Sequence, residues 1–294
     1  MNLSNVKLHT PQSLSEALSL MGELEGARLV AGGTDLLVDL KEGITQAEDL
    51  ISLQQITELR GIEIMDARIR IGALATPKEI ASNSIIAKHL PALGDAARSM
   101  ASPQIRSMAT IGGNIASAVP SADLPPALMA AGTTVQLICS DSPREVSLTD
   151  FFTGPRLTVC GAGEIVTAFF VPVPPPGTGI AYEKFVSREA NVLAVASVAA
   201  RLTLKDSVIV QASIVLGAVA PTPLLADEAS ALLVDKSPSD DLFARVSNQA
   251  AQESRPISDV RGSLWFRTEL IPVLTRRALA KALDRAQENS KSGK

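Results

Sequence analysis

Histidine, cysteine and aromatic residues are scarce in this chain. With two histidines, His9 and His89, neither a histidine-based metal site nor a Ser-His-Asp triad has enough material. Both read as ordinary surface or capping residues, His9 ahead of the first helix and His89 at the start of another. Two cysteines, Cys139 and Cys160, cannot form a four-ligand zinc or iron–sulfur site, and they fit small buried hydrophobes better than a disulfide. Aromatic residues at 3% leave no stacking platform for single-stranded nucleic acid. A net charge of −4 supplies no basic footprint for a duplex.

Export and membrane signals are missing as well. The start, MNLSNVKLHTPQSLSEAL, has no basic stretch followed by an apolar core, so no signal peptide is read and cytoplasmic residence is expected. The run from Ser207 to Ala226 lacks charge but contains Gln211, Gly217, Pro221 and Pro223. Its β-branched first half reads as a buried strand entering a turn, not a membrane span.

What is present is a large apolar fraction, 46% of 294 residues, enough for one large domain or two ordinary ones. Ser13 and Glu16 form a capping-box pattern ahead of helically spaced Leu14, Ala17, Leu18 and Met21. RLV, DLISL and IRIGALAT read as strands, the last closing at Thr76-Pro77, where the helix PKEIAS begins. HLPALGDAARSMAS reads as one helix, and TTVQLICS, EVSLTDFF and EIVTAFFVPVP as strands. The Pro/Gly cluster VPVPPPGTG marks a domain boundary. Beyond it, VASVAARLTL and SVIVQASIVLGAV flank a hairpin turn at Lys205-Asp206. The rest is helical, with Arg276, Arg277 and Lys281 on a solvated face and a frayed SKSGK tail.

Two stretches share a design, LVAGGTDLL and ATIGGNIAS, in which an apolar run meets Gly-Gly and a small polar residue. Such glycines let successive N–H groups converge on an anion without Lys or Arg, and Thr34 and Asn114 could add side-chain bonds. Indeed no Lys or Arg occurs between Arg106 and Arg144. A tight turn between packed elements explains each pair equally well, and the residues alone leave both readings open. Neither stretch is G-x-G-x-x-G and no P-loop is present, so a Rossmann domain or P-loop nucleotidase is not indicated. Gly161-Ala162-Gly163 reads as a turn before a strand. Asp123, in SADLPP, reads as a helix N-cap.

In order along the chain, VAGGTDLL, RIGALAT, SPQIRSMATIGGN, SADLPPAL, DFFTGP, YEKF, LGAVAPTP and DVRGSLWFRTEL resemble the FAD-binding medium subunit of the molybdenum hydroxylases, the xanthine dehydrogenase and carbon monoxide dehydrogenase flavoprotein family. The resemblance implies an α+β chain. A two-subdomain FAD-binding fold of the vanillyl-alcohol-oxidase/PCMH type would cover residues 1–175, with subdomains at about 1–57 and 58–175. A small α+β C-terminal domain, an antiparallel sheet with helices, would cover 176–288, leaving 289–294 as a tail.

Carried over by position, Ala31, Gly32, Gly33, Thr34 and Asp35 would form one loop over the pyrophosphate of a non-covalent FAD. Thr110, Ile111, Gly112, Gly113 and Asn114 would form the other. Asp123 would bind FAD too, against the bare N-cap reading. Met100 would lie against the adenine, Lys184 would bind the flavin, and Ile165 or Val166, with Leu193, would lie near its ring. Val192 stands where relatives commonly carry an acid.

The resemblance also implies partners: a small subunit with [2Fe–2S] clusters and a large molybdopterin subunit, as a dimer of heterotrimers, with NAD⁺ or another acceptor taking the electrons. Two cysteines exclude the extra-cluster loop of benzoyl-CoA-reducing relatives. The rival reading is a self-sufficient flavin oxidase or reductase on the same FAD-binding fold.

Overall fold

The computed structural model describes residues 6–139, 142–187 and 193–292. Strand β1 (Lys7–His9), helix α1 (Leu14–Glu23), β2 (Arg28–Val30), α2 (Leu36–Glu42) and β3 (Asp49–Ser52) form a parallel sheet in the order β1-β3-β2. Ser13 caps α1 by accepting from the Glu16 N–H. The Glu16 carboxylate instead accepts from the Gln12 N–H at 2.7 Å, one residue before the reciprocal capping position. His9 is not a cap: its Nε2 lies 2.7 Å from Asp49 Oδ1 and ties β1 to β3. Ala17, Ile51, Leu53, Ile56 and Leu59 form the core of this layer together with Leu74 and Ile165 from the next.

The second layer is antiparallel. It contains β4 (Ile62–Met65), β5 (Arg68–Gly72), α3 (Pro77–Ser82), α4 (Ser84–His89), α5 (Pro91–Ser99), α6 (Pro103–Met108), α7 (Ile111–Ala116), α8 (Leu124–Ala130), β6 (Thr134–Cys139), β7 (Ser142–Ser147), α9 (Leu148–Phe151), the short pair β8 (Phe152–Gly154) and β9 (Leu157–Thr158), and β10 (Ile165–Pro172). The main sheet runs β4-β5-β10-β6-β7.

Three expectations change here. The strand expected through Thr76 stops at Gly72, where a Cβ would strike the Leu59 carbonyl and lie 2.6 Å from the Arg60 carbonyl oxygen, so the chain turns away. Thr76 then begins α3 with a full capping box, accepting from the Glu79 N–H and donating its own N–H to the Glu79 carboxylate. The single helix expected over 89–102 is two: His89 closes α4 and Pro91 opens α5, since proline supplies no N–H to continue α4 and keeps Leu90 non-helical. EVSLTDFF is half strand and half helix, because Leu148 and Phe151, both fully buried, stand at helical i,i+3 spacing.

The third layer is an antiparallel sheet of β11 (Thr178–Phe185), β12 (Ala196–Lys205), β13 (Val208–Gly217) and β14 (Leu224–Leu225), followed by α10 (Asp227–Ala231), α11 (Asp240–Glu253) and α12 (Leu264–Ser292). The hairpin turn sits at Asp206-Ser207, one residue later than expected. Both residues have positive φ, 51° and 64°, the backbone that a tight two-residue hairpin requires. The 207–226 run contains β13, and among the described residues no helix is long and apolar enough to cross a membrane.

Helix α12 docks this layer onto the second. Asp95 of α5 pairs with Arg285 at 2.8 Å and Lys281 at 3.0 Å, and Lys281 also meets Glu183 at 3.2 Å. Lys281 therefore leaves the solvated face that Arg276 and Arg277 occupy. The expected frayed end is helical to Ser292, with the Asn289 amide donating to the Thr178 carbonyl at 3.0 Å. Cys139 and Cys160 are not joined in a disulfide, and each is half-buried.

Candidate functional site

The two glycine segments meet, although some eighty positions of sequence separate them. A Cβ at Gly32 would overlap the Met108 carbonyl oxygen and lie 2.9 Å from Ala109 Cα, so only glycine lets the first segment run against the chain entering the second. Gly32 and Thr110 line one cleft of about 490 Å³, together with Gln54, Arg60, Thr76 and Lys78. The cleft walls thus carry two cations and the Glu79 carboxylate, all from positions outside both glycine segments.

The segments differ in what they offer. Gly33 takes a left-handed φ of 69°, and the N–H groups of Gly33, Thr34 and Asp35 have no acceptor among the described residues. The Asp35 side chain is exposed and makes no cap bond to α2. These three amides are free for an anion.

In the second segment the expected open row of amides is not there. The Ile111 N–H donates to the Ala75 carbonyl, that of Gly112 to Ala73, that of Gly113 to Thr110 Oγ1 and that of Asn114 to the Thr110 carbonyl. The segment is the first turn of α7, capped by Thr110. Gly112 serves close packing, since a Cβ there would lie 2.8 Å from the Ala73 carbonyl oxygen. What remains for a ligand is the exposed backbone at Gly113 and the Asn114 amide, whose buried Oδ1 has no partner. An orphaned buried amide is costly, and a polar ligand removes that cost.

Asp123 stands at the N-cap position of α8 but forms no side-chain cap bond. The physical reason lies in the next residues. An N-cap side chain accepts from the second or third helical N–H, and here those positions are Pro125 and Pro126. The buried carboxylate turns instead to β11. Lys184 Nζ lies 2.8 Å from Asp123 Oδ1, and the Tyr182 hydroxyl donates to the same oxygen at 3.0 Å. Lys184 also donates to the Ser99 carbonyl at 3.0 Å, beside Met100 at the end of α5. Burial pushes the Asp123 carboxyl up, with the Lys184 charge and then its hydrogen bond and that of Tyr182 opposing. Burial, and then the Asp123 charge, raises the Tyr182 phenol well above its ordinary value.

The remaining positions scatter in exposure. Met100 is buried and its carbonyl accepts from Arg106 at 2.6 Å. Ile165 is wholly enclosed in the core beneath the first sheet, so of the two neighbours Val166 alone keeps some surface. Leu193 is 55% exposed, and Val192 lies outside the described residues. Sequence reasoning does not single out Tyr182, Arg60 or Lys78. A signal for Tyr182 was present: it is the only tyrosine, two positions from Lys184 on a strand, hence on the same face.

The segment before Asp123 is also braced from the C-terminal layer. Arg261 Nη1 donates to Ser121 Oγ at 3.1 Å, and Asp259 joins Arg261 and Arg267 at 2.8 and 2.6 Å. Burial would raise the Asp259 pKa, but the Arg261 N–H and the Arg267 and Arg261 side chains hold it down at about 2. A depressed carboxylate stabilises above its unfolded pKa, roughly 4, and that contribution is lost as pH falls through 2. Melting curves from pH 5 to 2 should therefore fall more steeply for the wild type than for Asp259→Asn.

Free amides and nearby cations suit a diphosphate, while the orphaned Asn114 Oδ1 and the buried Asp123 carboxylate call for a donor. Among the described residues no cluster of His, Cys, Asp and Glu could hold a metal. The comparisons agree with a dinucleotide-type ligand. The family described as FAD binding domain in molybdopterin dehydrogenase matches residues 4–174, and the CO dehydrogenase flavoprotein C-terminal domain matches 180–282. The chain is 36% identical to the carbon monoxide dehydrogenase medium chain of Afipia carboxidovorans, over 95% of this chain and 97% of that one. It is 31% identical to a xanthine dehydrogenase FAD-binding subunit of Escherichia coli O157:H7, over 94% and 95%. The solved carbon monoxide dehydrogenase from Hydrogenophaga pseudoflava superposes with a TM-score of 0.93 at 33% identity, covering 97% of this chain and 99% of that one. Matched in order over nearly its whole length, the chain belongs to the FAD-binding medium-subunit family of the molybdenum hydroxylases and is an FAD-binding oxidoreductase subunit.

Proposed function

We propose that this chain carries the flavin of a three-subunit molybdenum hydroxylase, taking electrons from the [2Fe–2S] clusters of a small partner and passing them to NAD⁺ or another acceptor. A large molybdopterin subunit completes the complex, as a dimer of heterotrimers in the cytoplasm. The observation that carries this reading is the meeting of both glycine segments at one cleft in a chain similar throughout its length to such medium subunits.

In this reading residues 1–175 hold FAD and residues 176–288 close the site from the other side. The Gly33, Thr34 and Asp35 N–H groups bind the diphosphate, with the Asn114 amide beside them. Ala31, Gly32, Thr110, Ile111, Gly112 and Gly113 shape the two segments. Met100, Val166 and Leu193 flank the rings, with Ile165 enclosed behind Val166, and Lys184 and Asp123 bind polar edges of the cofactor. FAD, when bound, supplies the exchange of one and two electrons, and the protein supplies position and electrostatics. The buried Asp123–Lys184 pair keeps water from that edge and fixes a cation near it.

Purification of the native complex is the test. FAD, molybdenum and iron should co-purify with this chain and two others, and an acceptor screen on that material identifies the electron acceptor. A complex lacking all three components would refute the proposal.

A further inference from the structure

Tyr182 and Lys184 project from the same face of β11 and converge on one atom, Asp123 Oδ1, at 3.0 and 2.8 Å. No bond from the described residues reaches Asp123 Oδ2. Two donors on one oxygen fix the rotation of the carboxylate and leave the acceptor capacity of its other oxygen unspent by the described residues. The phenol has a single proton to give, and burial keeps it protonated. It is therefore an obligate donor here, and it holds the carboxylate whatever the ligand does.

The chemistry of a partner for that oxygen is constrained. Phosphate oxygens are excluded, because an anionic carboxylate beside a diphosphate is repulsive. The partner must bring an O–H or N–H. FAD carries such groups as the hydroxyls of its ribityl chain and ribose, which flank the diphosphate, and as N–H groups on its two ring systems. We infer that Tyr182 is a positioning residue for FAD: by holding Oδ1 it aims Asp123 Oδ2 at a hydroxyl flanking the diphosphate. This inference rests on the proposed binding of FAD at this site.

The test is FAD binding by the full chain, wild type and Tyr182→Phe, measured by flavin fluorescence. Three ligands are compared: FAD, FAD with a deoxygenated ribityl chain, and FAD with a deoxygenated ribose. Tyr182→Phe should weaken FAD about tenfold, the scale of one misaligned charge-assisted hydrogen bond. The same substitution should leave unchanged the affinity for the analogue that lacks the accepted hydroxyl. That analogue identifies which sugar is held. Equal weakening of all three ligands, or none, overturns the inference while the FAD site stands. Wild-type protein that takes no FAD sinks the proposed function and this inference together. Circular dichroism of the ligand-free variant checks its fold. Should it not fold, Asp123→Asn, which preserves shape, must show the same ligand-selective loss, and uniform loss overturns the inference.

Discussion

Gly32→Val is expected to give a protein that retains no FAD and is less stable by about 3 kcal/mol. The position has no room: a Cβ overlaps the Met108 carbonyl oxygen and comes within 2.9 Å of Ala109 Cα, and both obstacles are backbone. A flexible side chain could swing aside, but here one of the two segments must separate from the other, opening the cleft that Gly32 and Thr110 share. Gly112→Val should act similarly through Ala73, separating α7 from the end of β5. Gly22→Ala is the control. It lies in α1 with nothing within 4 Å of the added carbon, so it should be neutral or gain up to about 1 kcal/mol from reduced unfolded-state freedom. Flavin absorbance after desalting and urea unfolding of each variant decide the matter. Full FAD content in Gly32→Val would show that the contact of the two segments is dispensable.

Lys184→Met is expected to cost about 3–5 kcal/mol at neutral pH, because it leaves the Asp123 carboxylate buried without its cation. The cost should depend on pH. Burial raises the folded-state pKa of Asp123, and Lys184 opposes that rise. A group raised in this way contributes stability that is complete below its unfolded pKa and is lost as pH rises through its folded value. Removing Lys184 enlarges the rise, so the loss on going to higher pH becomes steeper in the variant. Unfolding free energies at pH 4, 6 and 8 should show the gap from wild type widening with pH. A gap that is constant with pH would mean that Lys184 acts through packing alone.

Local chemistry made several elements legible without any contacts. Ser13 and Thr76 cap their helices because a hydroxyl three residues before a glutamate satisfies an otherwise orphaned N–H wherever the chain goes next. The antiparallel pair β12–β13 follows from two β-rich runs and a turn, and only the turn's register moved by one residue. Asp123 is an instructive case: the prolines at 125 and 126 already exclude a side-chain cap, and the exclusion can be read directly from SADLPP.

Other features depend on chain that arrives from elsewhere. The amides of TIGGN look free in isolation, and they are consumed only because Ala73 and Ala75, at the end of β5, are laid beside them. Lys281 looks like a surface charge until α12 brings it to Asp95 and Glu183.

By itself, then, the sequence determined the family and the helix caps at Ser13 and Thr76, because these depend on residues a few positions apart or on the succession of motifs along the chain. Tertiary structure alone decided which glycine amides stay open, that Gly32 must pass against Met108, and that Tyr182, 59 residues from Asp123, shares its oxygen with Lys184. Hydrogen-bond capacity is a property of single residues, but whether it is spent depends on neighbours that only packing supplies.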